Sequence, residues 1–249
     1  MLLLGKTAVI TGANRGIGRA VLESFMAQGA NVFACVRQEK TEMMEACKKF
    51  SETSVGWAKP LFFDMNDDEA MKAAVKEIRA SKVPVDILVN VAGIVPENRL
   101  FQMAKEEEMQ RVFDVNFFAT MRLTKLISKL MVRHRKGSIV NIASIAALDG
   151  EPGQVEYVAS KAALIGATKK LALEFGAYGI RVNAVAPGVT QTDMVASMQE
   201  DLRRRMAETT ILRRLAEPCE IANVVAFLAS DMASYMTGQV VRVDGGVRR

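Results

Sequence analysis

Histidine is almost missing from this 249-residue chain: His134 is the only one, and the three cysteines, Cys35, Cys47 and Cys219, form no C-x-x-C pair. No clustered Cys/His metal site can be built from such a set, and so sparse a cysteine content suits a reducing cytoplasm. Nowhere does an uncharged apolar run reach the ~18 residues of a membrane span, and MLLLGK at the start has no charged leader ahead of its leucines. Membrane insertion and secretion are therefore not expected. Prolines number only six, and no repeat, low-complexity tract or Pro/Gly/Ser linker divides the chain. What is present is a chain 50% hydrophobic, enough to bury a sizeable core, and one domain over 1–249 is expected.

The net charge of +5 raises nucleic acid or an acidic protein as a partner. Its basic clusters are RHRK at 133–136, RRR at 203–205 and the arginine pairs at 213–214 and 248–249. None is interleaved with the aromatic residues of a stacking platform, so nucleic-acid binding is not expected. The 133–136 cluster, just before Gly137, suits a last helical turn, where cations oppose the negative end of the helix dipole; His134 is given that role.

Apolar runs alternate with helical periodicity along the chain. Strands are expected at 6–11, 30–36, 86–91, 139–142, 180–186 and 239–243, with a further strand ending at 61–63 whose start Pro60 confines to an edge or irregular position. Helices are expected at 16–28, 41–50, 67–80, 104–135, 154–177 and 217–229. Such βαβα alternation implies an α/β fold, a single doubly wound Rossmann-type parallel sheet with helices on both faces and right-handed crossovers.

Two stretches carry chemistry. In SIVNIASIAALDGEPGQVEYVASK, residues 138–161, Ser144 follows a buried strand at the end where ligands of open α/β sheets bind. Tyr157 and Lys161 stand four apart on the next helix, one turn from each other on one face. A positive charge beside a phenol favours phenolate and brings proton transfer toward neutral pH, although an aromatic and a lysine on a solvated face fit the same spacing. The second stretch, Thr11-Gly12-Ala13-Asn14-Arg15-Gly16-Ile17-Gly18, joins the first strand to the first helix, where glycines let the backbone approach a pyrophosphate and the helix's first amides face the anion. Its G-x-x-x-G-x-G spacing departs from G-x-G-x-x-G, and a plain tight turn remains an alternative.

Together, T-G-x-x-x-G-I-G, Asn90-Val91-Ala92-Gly93, Ser144, Tyr157-x-x-x-Lys161 and Pro187-Gly188 resemble the short-chain dehydrogenase/reductase family over the whole chain in order. The ending, with Phe227 to Asp231, Thr237-Gly238 and Val243-Asp244-Gly245-Gly246, is most similar to bacterial 3-oxoacyl-[acyl-carrier-protein] reductases of fatty acid biosynthesis. Val91 stands where the family usually has a second asparagine. The resemblance implies a catalytic set of Asn116, Ser144, Tyr157 and Lys161. In it the tyrosine protonates a carbonyl oxygen oriented by the serine, the lysine holds the nicotinamide ribose and tunes the tyrosine, and the asparagine serves a water relay or a structural role. It implies a cofactor site of Gly12, Asn14, Arg15, Gly16, Ile17, Gly18, Arg37, Asp64, Met65, Asn90, Ala92, Gly93, Pro187, Gly188, Val189 and Thr192, with Tyr157 and Lys161 shared. Asp64 matches the adenine-binding acid and Thr192 the contact to the nicotinamide carboxamide.

For the cofactor, the second strand ends at Arg37 where NAD enzymes place an acid, and a guanidinium can bind a 2′-phosphate bidentately. Arg15 points to the same region in the family, so NADP(H) is expected, with Glu39 close enough to blur the case. The segment 189–215, with Met194, Val195, Met198, Leu202 and Met206 at near-helical spacing, reads as an adaptable lid or an ordinary amphipathic helix. Asp149, Glu151 and Glu156 are expected around the site mouth, disfavouring a small anionic substrate. An acyl carrier protein would meet basic residues on two neighbouring helices; Arg135 keeps one, and Tyr178 stands where a second is expected. The expected activity is NADPH-dependent reduction of a 3-oxoacyl thioester, beside dehydrogenation of a sugar, polyol or steroid-like alcohol and a catalytically silent NADPH-binding regulator. The helix at 154–177, apolar around more than one face, needs a second buried surface, and the family implies a homotetramer.

Overall fold

The computed structural model describes residues 1–150, 152–196 and 198–247. Seven strands, β1 (Thr7–Thr11), β2 (Asn31–Val36), β3 (Ala58–Phe62), β4 (Ile87–Asn90), β5 (Gly137–Ile142), β6 (Ile180–Pro187) and β7 (Val240–Val243), pair in the order β3-β2-β1-β4-β5-β6-β7. Every pair is parallel. The inner strands are apolar without alternation, TAVIT in β1 and GSIVNI in β5, because helices cover both faces of a parallel sheet. Pro60 opposes Ala34 within β3, which is the edge strand of the sheet and has no further neighbour to need its missing N–H.

One face of the sheet is buried by α1 (Gly16–Ala27), α2 (Thr41–Thr53) and α10 (Pro218–Ala229), through side chains such as Leu22, Phe25, Cys47, Ile221 and Val225. On the other face lie α3 (Asp68–Ala80), α5 (Thr120–His134) and α7 (Val155–Gly176), contributing Met71, Ile78, Leu123, Ile127 and Ala172. Local chemistry fixes several ends. Asp67 caps α3 by accepting from the amides of Glu69 and Ala70. Glu217 and Glu220 form a capping box at α10. Arg133 and His134 close the last turn of α5, and Arg135 ends it in the left-handed conformation at φ 50°. No helix among the described residues is long and apolar enough to cross a membrane.

The helix expected over 104–135 is observed as continuous helical backbone over 106–134 with a π-helical stretch inside it. It comprises α4 (Glu106–Phe113), a π-helical stretch over Asp114–Ala119, and α5. A π turn admits one extra residue per turn and often marks functional positions; this one contains the buried Asn116. A short helix, α6 (Ala146–Asp149), follows β5. The 189–215 segment forms two pieces, α8 (Asp193–Ala196) and α9 (Glu200–Glu208), rather than one continuous helix.

Candidate active site

The order of strands reverses between β1 and β4, and in open parallel sheets ligands bind at such a switch point, beyond the strands' carboxyl ends. Thr11, the last residue of β1, ties the two sides together: its Oγ1 accepts hydrogen bonds of 3.0 Å from the amides of both Val91 and Ala92. Gly12 adopts φ 68°, and a Cβ on it would stand 3.1 Å from Ala92 Cα. A Cβ on Gly18 would run into the carbonyl oxygen of Gly12, so no larger residue permits this strand-to-helix turn. Gly16 lies against the Thr192 side chain, where a Cβ would come within 3.1 Å of its methyl carbon. The amide of Ile145, next to Ser144, donates to Pro187 O at 3.1 Å. The glycine loop, the 90–93 turn, the Ser144 turn and the 187–192 turn are thereby brought to one edge of the sheet.

Ser144 is half-buried, and its Oγ accepts from the Ala146 amide at 3.2 Å, leaving its own proton available to a second partner. Tyr157 and Lys161 sit in the first two turns of α7, with Lys161 Nζ 5.9 Å from the centre of the Tyr157 ring. Lys161 is 5% exposed and donates to Ile142 O at 2.8 Å. Burial disfavours its charged form and pushes its pKa down to about 8. The amide of Asn116 is fully engaged: Oδ1 accepts from Ile94 N at 2.8 Å, and Nδ2 donates to Ile94 O at 3.0 Å and to Ser160 Oγ at 3.1 Å. Ser160 Oγ in turn donates to Tyr157 O at 2.8 Å. Asn116 thus fixes the chain after β4 to the helix that carries Tyr157. Asn116 and Lys161 flank Gly93, at 3.1 Å (Oδ1) and 3.4 Å (Nζ) from where its Cβ would stand.

Around this centre, Asn14, Arg15 and Gly93 are exposed, and Ile17, Met65, Ala92, Gly188, Val189 and Thr192 are half-buried. Arg15 precedes α1, and Arg37 follows β2 directly; both are exposed, and among the described residues neither they nor Glu39 form an ion pair within 4.0 Å. Asp64 is exposed, its Oδ1 accepting from Asn66 N at 2.9 Å. Pro187 is buried at the end of β6. Asn90 turns the other way. Only 3% exposed, it donates from Nδ2 to Thr124 Oγ1 at 3.0 Å and to Asn141 Oδ1 at 2.8 Å, inside the sheet–helix interface. Asn141 continues the chain to Thr168 Oγ1 at 2.8 Å. At the departure from the family pattern, the Val91 amide donates to Thr11 Oγ1 and its side chain packs against the hydrophobic core.

Of the three carboxylates expected at the mouth, the two that are described are withdrawn from solvent. Asp149 meets Arg242 in a bidentate pair, and Glu156 is 4% exposed with its Oε2 lacking a hydrogen-bond partner among the described residues. Glu151 lies outside the described residues, as do Arg248 and Arg249. In the 189–215 segment Val195 is buried, Met198 and Met206 are half-buried and Leu202 is 44% exposed; the Met194 side chain lies outside the described residues. Arg135 donates to Ala177 O at 2.7 Å, and its guanidinium lies 5.9 Å over the Tyr178 ring. Two residues that matter for the geometry, Ser160 and Arg242, escape the sequence reading, and Thr11 enters it only as the first residue of the glycine-loop motif. Ser160 had a signal in hindsight, a hydroxyl three residues after Tyr157; of Arg242's two partners, Asp244 is two residues away but Asp149 is 93 away, and that longer link had no local signal.

Residues 12–248 match a family model described as Enoyl-(Acyl carrier protein) reductase. The 3-oxoacyl-[acyl-carrier-protein] reductase FabG of Escherichia coli is 40% identical over 98% of this chain and 97% of that protein. Among solved structures, 3-oxoacyl-[acyl-carrier protein] reductase from Brucella melitensis superposes with a TM-score of 0.92 at 35% identity, covering 100% of this chain and 93% of that one. L-Sorbose reductase from Gluconobacter frateurii, complexed with NADPH and L-sorbose, gives 0.91 at 32% identity, covering 99% and 98%. With a family match over nearly the full length and a relative 40% identical across it, the chain belongs to the short-chain dehydrogenase/reductase family of oxidoreductases.

Proposed function

We propose that this protein uses NADPH to reduce a carbonyl to a secondary alcohol, with a 3-oxoacyl thioester as substrate. The observation that carries the reading is a buried lysine with its ammonium 5.9 Å from the Tyr157 ring, on the edge of the sheet that also presents Ser144 and the glycine loop. The loop fits a dinucleotide: three of its glycines stand where a Cβ would crowd Ala92, Thr192 or the Gly12 carbonyl. Gly12 to Gly18 would hold the pyrophosphate, Asp64 and Met65 the adenine side, and Val189 and Thr192 the nicotinamide side. Arg15 and Arg37, without ion-pair partners among the described residues, would take the 2′-phosphate. When bound, the nicotinamide supplies hydride to the carbonyl carbon. Tyr157 Oη gives its proton to the carbonyl oxygen, Ser144 Oγ donates a hydrogen bond to that oxygen, and the Lys161 ammonium favours the phenolate left behind. Two hydroxyls converging on one oxygen suit a ketone.

The identity near 40% to 3-oxoacyl reductases supports a thioester substrate. A second reading, reduction of a sugar or polyol ketone, is favoured by one observation: Arg135 is spent on Ala177 and Tyr178, so the basic pair expected to receive an acidic carrier protein is incomplete. Oxidation of NADPH with acetoacetyl-coenzyme A, an acetoacetyl carrier protein, L-sorbose and simple ketones separates the two. Turnover of the thioesters well above the sugar supports the first reading; the reverse order establishes the second. NADPH binding without any turnover would contradict both.

A further inference from the structure

Outside the residues already assigned, the densest set of short polar contacts on the site's edge of the sheet centres on Arg242 in β7. Its Nη1 and Nη2 donate to Asp149 Oδ1 and Oδ2 at 2.8 and 2.7 Å, a bidentate pair. Its Nε and Nη2 also donate to Asp244 Oδ2 at 3.0 and 2.6 Å. The Asp149 and Asp244 side chains are only 11% and 10% exposed, and the Arg242 side chain 36%. A fork of this kind, largely withdrawn from water, fixes orientation as well as charge, unlike an exposed single-contact pair.

Both carboxylates are tied to segments that carry proposed site residues. Asp149 is the last residue of α6, five positions after Ser144 and eight before Tyr157, in a segment otherwise rich in turn-forming residues: Gly150 at φ 71°, Gly153 at φ 85° and Gln154 at φ 53°. Asp244 packs on Gly188, where an added Cβ would come within 2.8 Å of Asp244 Cα, and its Oδ1 accepts from Gly246 N at 3.0 Å. Gly188 N donates to Val243 O at 2.9 Å, and Ile145 N to Pro187 O at 3.1 Å. One guanidinium therefore links the Ser144–Tyr157 segment to the Pro187–Gly188 turn.

We infer that Arg242, through Asp149 and Asp244, is a positioning residue that sets Ser144 and Tyr157 in register with the 187–192 turn. It touches no reacting atom. This rests on the proposed roles of Ser144 and Tyr157, and it goes beyond them by assigning part of the turnover rate to a contact made on β7. A displacement of about 1 Å at reacting groups can cost on the order of a hundredfold in rate, so losing the clamp is expected to act on kcat.

The test uses the full chain with NADPH and the fastest carbonyl substrate of the panel above. Arg242→Gln is expected to lower kcat at least about tenfold while the Kd for NADPH, read by fluorescence, stays within about twofold. Arg242→Lys, which keeps the charge but loses the fork, is expected to fall between. Asp149→Asn, isosteric and less disruptive should Arg242→Gln fold poorly, is expected to match Arg242→Gln, and the double variant to lose no more than either single one. Wild-type kcat in Arg242→Gln or Asp149→Asn overturns the inference. So does a joint loss of Tm, NADPH affinity and kcat in Asp149→Asn, which marks a merely structural contact, or multiplicative losses in the double variant. Ser144→Ala, run in parallel, separates failures: full turnover there removes the catalytic assignment itself, and the inference with it.

Discussion

Lys161 gives the sharpest thermodynamic handle on the site. It is 5% exposed, and among the described residues it has no carboxylate partner and donates one hydrogen bond, to Ile142 O. Its pKa is lowered from 10.5 to about 8 by desolvation. A lysine whose folded pKa lies below its unfolded value binds fewer protons in the folded state between the two, so its burial penalty is fully present below about pH 8 and is relieved as pH rises toward 10.5. The shift corresponds to a penalty of roughly 3 kcal/mol at neutral pH, of which about 2 kcal/mol is relieved by pH 9.5. Lys161→Met keeps the aliphatic stem and removes the charge. Losing the bond to Ile142 O adds a pH-independent cost of about 1–3 kcal/mol, so the absolute stability difference is not diagnostic. Its slope is. The buried thiols of Cys35 and Cys47, pushed up to about 12 and about 11, titrate equally in both proteins and cancel. Urea unfolding of the cofactor-free proteins at pH 7 and 9.5, at one protein concentration, should show wild type gaining about 2 kcal/mol on the variant across that interval. Parallel pH profiles would refute the claim that Lys161 is held charged against burial.

Further outcomes follow from other residues. Native enzyme should favour NADPH over NADH by roughly ten- to hundredfold in kcat/KM, the worth of one or two charge-assisted hydrogen bonds, and Arg37→Asp should reverse or abolish that preference; a native preference for NADH contradicts it. On α7, Ala162 and Gly166 are exposed and Leu173 is 79% exposed, a second apolar face on a helix whose first face is already buried, so light scattering at micromolar concentration should give four times 27.2 kDa. A monomer mass would refute that assembly.

Much of this arrangement is legible in the sequence because it is local. The inner strands announce themselves as apolar runs, the glycine spacing lies within eight residues, and Tyr157 and Lys161 are four apart on one helix. Pro60 limits its strand to an edge or irregular position, and β3 is an edge strand. The helix expected over 104–135 is present over 106–134, but its π-helical stretch is not legible locally: Asn116, within that stretch, bonds both backbone groups of Ile94, 22 residues away. Asn90 also escapes local reading, since its partners Thr124 and Asn141 come from α5 and β5. For two of the mouth carboxylates, Asp149 and Glu156, spacing along a loop shows neither burial nor partner. Glu156 is buried, and Asp149 is matched by an arginine on the last strand.

The central claim is that Tyr157 is the proton donor of a nicotinamide-dependent carbonyl reduction, and Tyr157→Phe tests it by removing one oxygen while keeping the ring. Steady-state reduction of acetoacetyl-coenzyme A by NADPH, measured beside the Kd for NADPH, should show kcat falling by about two to four orders of magnitude with cofactor affinity within about twofold. Turnover near wild type in the phenylalanine variant would contradict the account.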